Sequence, residues 1–177
     1  LVPSGVAVRP ASRCSLPPAP QVKGLDAPRG RPAQTRRYEG MMTFRYDTFG
    51  SEAFWGDALQ LPQAIAGEKN GGVGPGVAPK TALSVGLKVD ADALPDALKQ
   101  QLAAGKVDLD DPATTIALLK LNAVVGVTAF ANPDGSIKSM GIQCAFCHST
   151  VYNSFAPGIG NGPAGRAQRD LAWGAVV

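Results

Sequence analysis

The segment Cys144-Ala145-Phe146-Cys147-His148 constrains this chain more than any other feature, because it has the spacing C-x-x-C-H. Two intervening residues allow one helical turn to present both thiols on the same side. Each thiol can add to a vinyl group of a porphyrin, and the histidine that follows can bind the iron. His148 is the only histidine in the sequence. The motif therefore predicts one covalently attached haem c, with His148 as the proximal iron ligand.

Two other kinds of site share the C-x-x-C spacing. A zinc site needs about four ligands, and the only further cysteine is Cys14, with no second C-x-x-C in the sequence. A thioredoxin-like redox site has C-x-x-C at the start of a helix in a βαβ unit. The residues before Cys144 have the pattern of a hairpin instead. Both interpretations stay open as alternatives to haem attachment.

Residues 38–177 resemble the cytochrome c superfamily, in particular bacterial periplasmic proteins with a long extension before the haem motif. The likeness is carried by residues 141–151 and 155–160, and also by 45–55 and 110–127. It implies a cytochrome-c-like haem domain that exchanges electrons with redox partner proteins. It also implies export to the periplasm, although no signal peptide is visible in the sequence.

The resemblance further implies roles for residues that follow the motif. In this superfamily a proline carbonyl in the next loop accepts a hydrogen bond from the proximal histidine. Pro157 is the first candidate for that role and Pro163 the second. Ile159 is expected to press on the haem face. Arg166 or Arg169 is expected to pair with a haem propionate.

The sixth iron ligand decides between two functions. Electron carriers often hold iron between His and Met, but no Met, His or Lys follows His148 in the sequence. Met41 and Met42 are the upstream candidates. The simpler expectation is a distal methionine beyond Val177, in a chain that is C-terminally truncated. Electron transfer is favoured over catalysis. The alternative is a peroxidase-like haem enzyme or a small-ligand binder with an open distal site.

Charge and hydropathy exclude two classes of partner. The net charge is +3, but residues 1–40 hold seven basic and two acidic residues, so the remainder is mildly acidic. A nucleic-acid partner is therefore not expected. No apolar run approaches the length of a membrane span, which is about 18 residues or more, so no transmembrane segment is predicted.

The domain organisation follows from composition. Residues 1–37 are rich in proline and show no apolar period, which predicts a disordered tail or linker. Residues 38–177 are expected to form a single cytochrome-c-like domain. Within it, a helical extension covers 38–122, and a hairpin with the haem-binding segment covers 123–177.

Local patterns predict the individual elements. Helices are expected at residues 54–67, 94–104 and 112–122, the first interrupted by Pro62 and the last started by an Asp cap before Pro112. The turn sequence 132–135, Asn-Pro-Asp-Gly, predicts a hairpin of strands 124–130 and 136–143. The expected fold class is mainly α, with a short β-hairpin before the haem motif and an irregular N-terminal extension.

Overall fold

A computed structural model describes residues 31–162, with side chains from residue 33 onward. A boundary between two units lies between Glu39 and Gly40, so most of the described residues belong to the second unit. The helices are α1 (Arg31–Tyr46), α2 (Leu61–Ala66), α3 (Pro79–Ser84), α4 (Asp96–Ala103), α5 (Pro112–Lys120) and α6 (Ala145–His148). The strands are β1 (Val89–Asp90), β2 (Val127–Ala131), β3 (Ile137–Ile142) and β4 (Ile159–Gly160). Helix α1 includes residues 31–37, which the sequence assigned to the tail, and residues 1–30 lie outside the described ones.

The described part is a mixed α/β structure, so the prediction of a mainly α-helical fold is wrong. Strands β2 and β3 form one antiparallel sheet, and β1 pairs with β4 in parallel, with Val89 opposite Ile159. The second pairing escaped the sequence analysis for a physical reason. A strand of two residues is too short to show the alternation of apolar and polar residues by which strands are predicted. In addition, β1 and β4 are far apart in the sequence.

The helix expected at residues 54–67 is broken into a π-helical turn, Phe54–Ala58, and α2. Gln60 between them has a left-handed conformation, with φ of 51°. Pro62 lies in the first turn of α2, where its missing N–H costs no hydrogen bond. The proline therefore starts a second helix instead of kinking a continuous one.

Two other helices agree with their predictions. Helix α4 occupies most of the expected range 94–104, and α5 begins at Pro112 as expected. The cap of α5 is Asp111, whose side chain accepts a hydrogen bond of 2.9 Å from the N–H of Ala113. An Asp side chain here satisfies one of the unpaired donors of the first turn.

The predicted hairpin is confirmed, with Val127 opposite Ile142 and a register shift near Ala131. Its first strand begins three residues later than expected. In the turn, the Asp134 carboxylate accepts hydrogen bonds from the hydroxyl of Ser136 at 2.6 Å and from its N–H at 2.8 Å. These bonds hold the pKa of Asp134 below its ordinary value of 3.8. The turn sequence thus fixes the hairpin that leads into the C-x-x-C-H motif.

Asp134→Ala is expected to lower Tm slightly, by about 1–2 °C, at neutral pH. The pKa of Asp134 is lower in the folded state than in the unfolded state. The stability that its carboxylate contributes is therefore fully present above the unfolded-state pKa and is lost as the pH falls through the folded-state pKa. Thermal unfolding at neutral and at strongly acidic pH checks this. Asp134→Asn, which removes the charge alone, serves as the control. A Tm deficit of Asp134→Ala that persists undiminished in acid would contradict the charge-assisted turn.

The apolar interior consists of two groups of buried residues. The larger includes Val89, Leu118, Leu119, Met140 and Ile159 and lies among the helices and both sheets. The smaller consists of Val125, Ala145 and Val151, with Phe44 of α1 packed against it. This smaller cluster anchors α6 to the rest of the unit. Between residues 31 and 162, no helix has the length and apolarity needed to cross a bilayer.

Candidate haem-binding site

The C-x-x-C-H motif forms one short helix with an inner and an outer side. Ala145 and Phe146 are buried, at 0% and 2% exposure, and face the interior. Cys144 and Cys147 are half-buried, and His148 is exposed. Residues three and four apart are neighbours on a helix, so these three side chains share the outer side. The two half-buried thiols and the exposed imidazole are therefore the accessible side chains of this turn.

Backbone contacts hold the start of α6 in place. The N–H of Gln143 donates a hydrogen bond of 2.9 Å to the carbonyl of Gly126. Gly126 has φ of +88°, and a Cβ on it would lie 2.5 Å from the backbone nitrogen of Phe146. The chain can therefore pass this closely behind α6 only because residue 126 is glycine. Gly126 was not among the predicted site residues, although a glycine within an apolar strand-like run is a known sign of close backbone approach.

Both motif thiols are free. Burial raises the pKa of the Cys147 thiol, and the neighbouring Cys144 raises it further. Catalytic redox thiols have lowered pKa values, because the thiolate is the reactive species. The environment of Cys147 has the opposite effect and favours the neutral thiol of this second motif cysteine.

The His148 imidazole is exposed and makes no hydrogen bond with any of the described residues. Pro157, the candidate partner for its ring N–H, is an exposed turn residue whose carbonyl accepts no hydrogen bond within the described part. The structure therefore does not bring Pro157 and His148 together by a hydrogen bond.

Ile159 lies away from the motif's exposed side. It belongs to β4, is 1% exposed and packs in the larger core cluster, whereas Ala145 of the motif belongs to the smaller one. Ile159 also lines a cavity of about 350 Å³ between α4 and α5 that none of the motif residues borders. Its expected contact with a haem face has no counterpart in this arrangement. Arg166, the candidate propionate partner, lies outside the described residues, as do Pro163 and Arg169.

The two candidate distal methionines lie on α1. Met41 is 55% exposed and Met42 is half-buried. One turn further along, Phe44 packs against the cluster that contains Ala145, and Arg45 contacts Gln143. The end of α1 is therefore adjacent to the motif, but no described contact joins either methionine to His148.

A buried polar network, which no sequence pattern predicted, lies behind the motif. The Arg45 guanidinium donates to the Gln143 side-chain oxygen at 3.3 Å and to the Asn122 carbonyl at 3.1 Å. It also forms an ion pair with Asp90 at 3.6 Å. The Gln143 amide donates in turn to the hydroxyl of Thr128. An arginine near a helix end is usually exposed, so nothing in the local sequence signalled this burial.

Among residues 31–162, no group of three or more His, Cys, Asp or Glu side chains is arranged to hold a metal ion directly.

No family model, characterised protein or solved structure matches this chain.

Proposed function

We propose that this chain is a c-type cytochrome that binds one haem covalently and transfers electrons. The observation that carries the proposal is the division of α6 into two sides. Its inner residues are fixed in the core, while both free thiols and the imidazole share the outer side. Thioether formation needs accessible thiols next to each other, and iron ligation needs an imidazole with a free ring nitrogen.

The surface next to the motif also suits a large apolar ligand. Phe49 donates its N–H to the carbonyl of Ile142, two residues before Cys144, and its side chain is 67% exposed. Tyr152, four residues after His148, is 62% exposed. These two exposed aromatic side chains lie near the two ends of the motif, where a porphyrin that reached them would bury part of their surface. This burial would supply hydrophobic stabilisation that the described residues alone do not provide.

In this proposal Cys144 and Cys147 hold the porphyrin through thioether bonds, and His148 supplies the proximal nitrogen. The haem iron supplies the one-electron redox chemistry, and redox partner proteins supply and accept the electron. Because haem c is attached outside the bacterial cytoplasm, the proposal also includes export to the periplasm. The methionines of α1, Met41 and Met42, remain the candidates for the distal ligand within residues 31–162.

The Cys144→Ala/Cys147→Ala variant is expected to lose covalent haem essentially completely. The experiment uses the chain, fused to an export signal, in a bacterium that matures c-type cytochromes. Haem stain on a denaturing gel measures attachment, and the pyridine haemochrome spectrum counts thioether bonds. Each single variant should retain at most one thioether bond, because each sulfur bonds one vinyl group.

The third cysteine provides a matched control. Cys14→Ala also removes one thiol but lies outside the motif, and it should leave the haem stain unchanged. Equal staining of the double variant and the unmodified chain would contradict attachment by this motif. Absence of stain in the unmodified chain would contradict the function itself.

The spin state of the iron tests the electron-transfer role against the alternative. A carrier with two strong axial ligands is expected to be low-spin and unreactive towards CO or peroxide. A haem enzyme or small-ligand binder would be high-spin and would bind both. Methionine ligation is checked by Met41→Ala and Met42→Ala, each compared with the unmodified protein by absorption spectroscopy.

A further inference from the structure

The ion pair of Arg45 and Asp90 is the one described salt bridge that is buried on both sides. The exposed fractions of the two side chains are 5% and 7%. The other described pairs, Lys80 with Asp110 and Lys99 with Asp96, each have at least one largely exposed partner. Charges in such a site are little screened by water or salt, so their fields extend further than those of surface pairs.

This pair is connected to the motif by a single side chain. Arg45 binds the side-chain oxygen of Gln143, and Gln143 directly precedes Cys144. Gln143 is fully buried, and its own amide is held by Thr128, whose hydroxyl donates to the carbonyl of Tyr46 at 3.2 Å. The network therefore returns to α1 next to Arg45. It fixes the guanidinium relative to the first motif cysteine.

The hydrogen bonds of Arg45 are incomplete. Its Nε is buried and has no partner among the described residues. The Asp90 carboxylate accepts a hydrogen bond of 3.0 Å from the N–H of Asp92, and burial raises its pKa despite that bond and the nearby guanidinium. Apolar residues of similar size commonly stabilise a fold as well as a buried ion pair or better, so burial of this pair is weak evidence for a role in stability.

We infer that the fixed charge of Arg45 raises the reduction potential of the haem, and that the charge of Asp90 partly offsets this effect. This inference rests on the proposed function. Reduction adds one electron from a redox partner to ferric iron to give ferrous iron, with no bond formed or broken and no proton transferred. A fixed positive charge nearby favours the reduced state, and a fixed negative charge opposes it. The guanidinium keeps its charge in both states, because arginine is not deprotonated in proteins.

The test is the sign of the potential shift in two variants of the haem-loaded protein at neutral pH. Asp90→Asn removes the negative charge and should raise the midpoint potential. Arg45→Met removes the positive charge and should lower it. Each variant should shift the midpoint potential by about 59 mV. For one electron, this corresponds to a tenfold change in the ratio of reduced to oxidised protein. The double variant should return close to the original value.

A purely structural role would give a different pattern. Loosening the site from either side admits water to the same haem, so both variants would shift the potential in the same direction. Arg45→Lys keeps the positive charge. Its midpoint potential should therefore stay close to that of the unmodified protein, even if the bond to Gln143 is lost. The pair of Lys99 and Asp96 on α4 supplies matched controls, because Asp96→Asn and Lys99→Met make the same changes of charge at an exposed site. Both control variants should leave the midpoint potential unchanged.

Two outcomes overturn the inference. One is haem-loaded Asp90→Asn with an unchanged or lowered potential, and this variant decides the question even if Arg45→Met does not fold. The other is an Arg45→Lys variant whose midpoint potential is lowered as far as that of Arg45→Met. Neither outcome affects the proposed function, which fails only if the unmodified chain carries no covalent haem.

Discussion

Gly126→Ala is expected to destabilise the folded protein by roughly 3 kcal/mol or more. Two costs combine at this position. A non-glycine residue at φ of +88° is strained, and the added Cβ would overlap the backbone nitrogen and Cα of Phe146. Backbone atoms cannot rotate away as a side-chain end can. Relief therefore requires α6 to move from Gly126, which would also stretch the Gln143-to-Gly126 hydrogen bond.

Urea unfolding of the chain measures this effect, with Gly105→Ala as the matched control. Gly105 has φ of +64°, but nothing lies within 4 Å of a Cβ built there. Its substitution should cost only the backbone strain, about 1–2 kcal/mol. The difference between the two variants isolates the overlap with Phe146. Equal losses of stability would show that α6 does not pack against Gly126 as described.

Gly126→Ala should also reduce the yield of covalent haem, whereas Gly105→Ala should not. The reason is that a displaced Phe146 carries the flanking Cys144 and Cys147 with it. Haem stain per mole of purified chain provides the measurement. Full haem loading of Gly126→Ala would mean that attachment tolerates a displaced α6.

Arg45→Met is expected to destabilise the protein by about 3–5 kcal/mol at neutral pH. The substitution leaves the Asp90 carboxylate buried without its cation and removes the donors to Gln143 and to the Asn122 carbonyl. Lys99→Met breaks an ion pair whose carboxylate is 90% exposed, and it should cost no more than about 0.5 kcal/mol. Urea unfolding of both variants provides the comparison.

The loss in Arg45→Met should depend on pH in a defined direction. Burial already raises the pKa of Asp90, and removing the guanidinium raises it further. A carboxyl with a raised folded-state pKa favours the folded state fully below its unfolded pKa, and this advantage disappears as the pH rises through the folded pKa. The deficit of Arg45→Met should therefore be largest at neutral pH and smaller near pH 4, which is about the ordinary pKa of Asp.

The double variant Arg45→Met/Asp90→Asn removes the uncompensated charge. It should be more stable than Arg45→Met alone, and its deficit should vary little with pH. A deficit of Arg45→Met no larger than that of Lys99→Met, or one that grows in acid, would contradict a charged, buried Asp90.

The sequence by itself determined the features that depend on neighbouring residues. The C-x-x-C-H spacing sets which side chains share one side of α6, since helical geometry leaves no other choice at three and four residues apart. The Asp111 cap with Pro112 began α5, and the turn 132–135 produced the hairpin, because hydrogen bonds within a few residues decide both.

Only the tertiary structure decided the features that depend on distant residues. The parallel pairing of β1 with β4 added a second sheet to the predicted hairpin, and Ile159 of β4 lies in the larger core cluster, away from the motif. Long-range packing also buried Arg45 against Asp90 and brought Gly126 behind Phe146. The local conformational preferences of an arginine or a glycine do not depend on which distant residues it contacts in the folded protein. The partner that gives each its role is therefore set by the fold and not by its neighbours in the sequence.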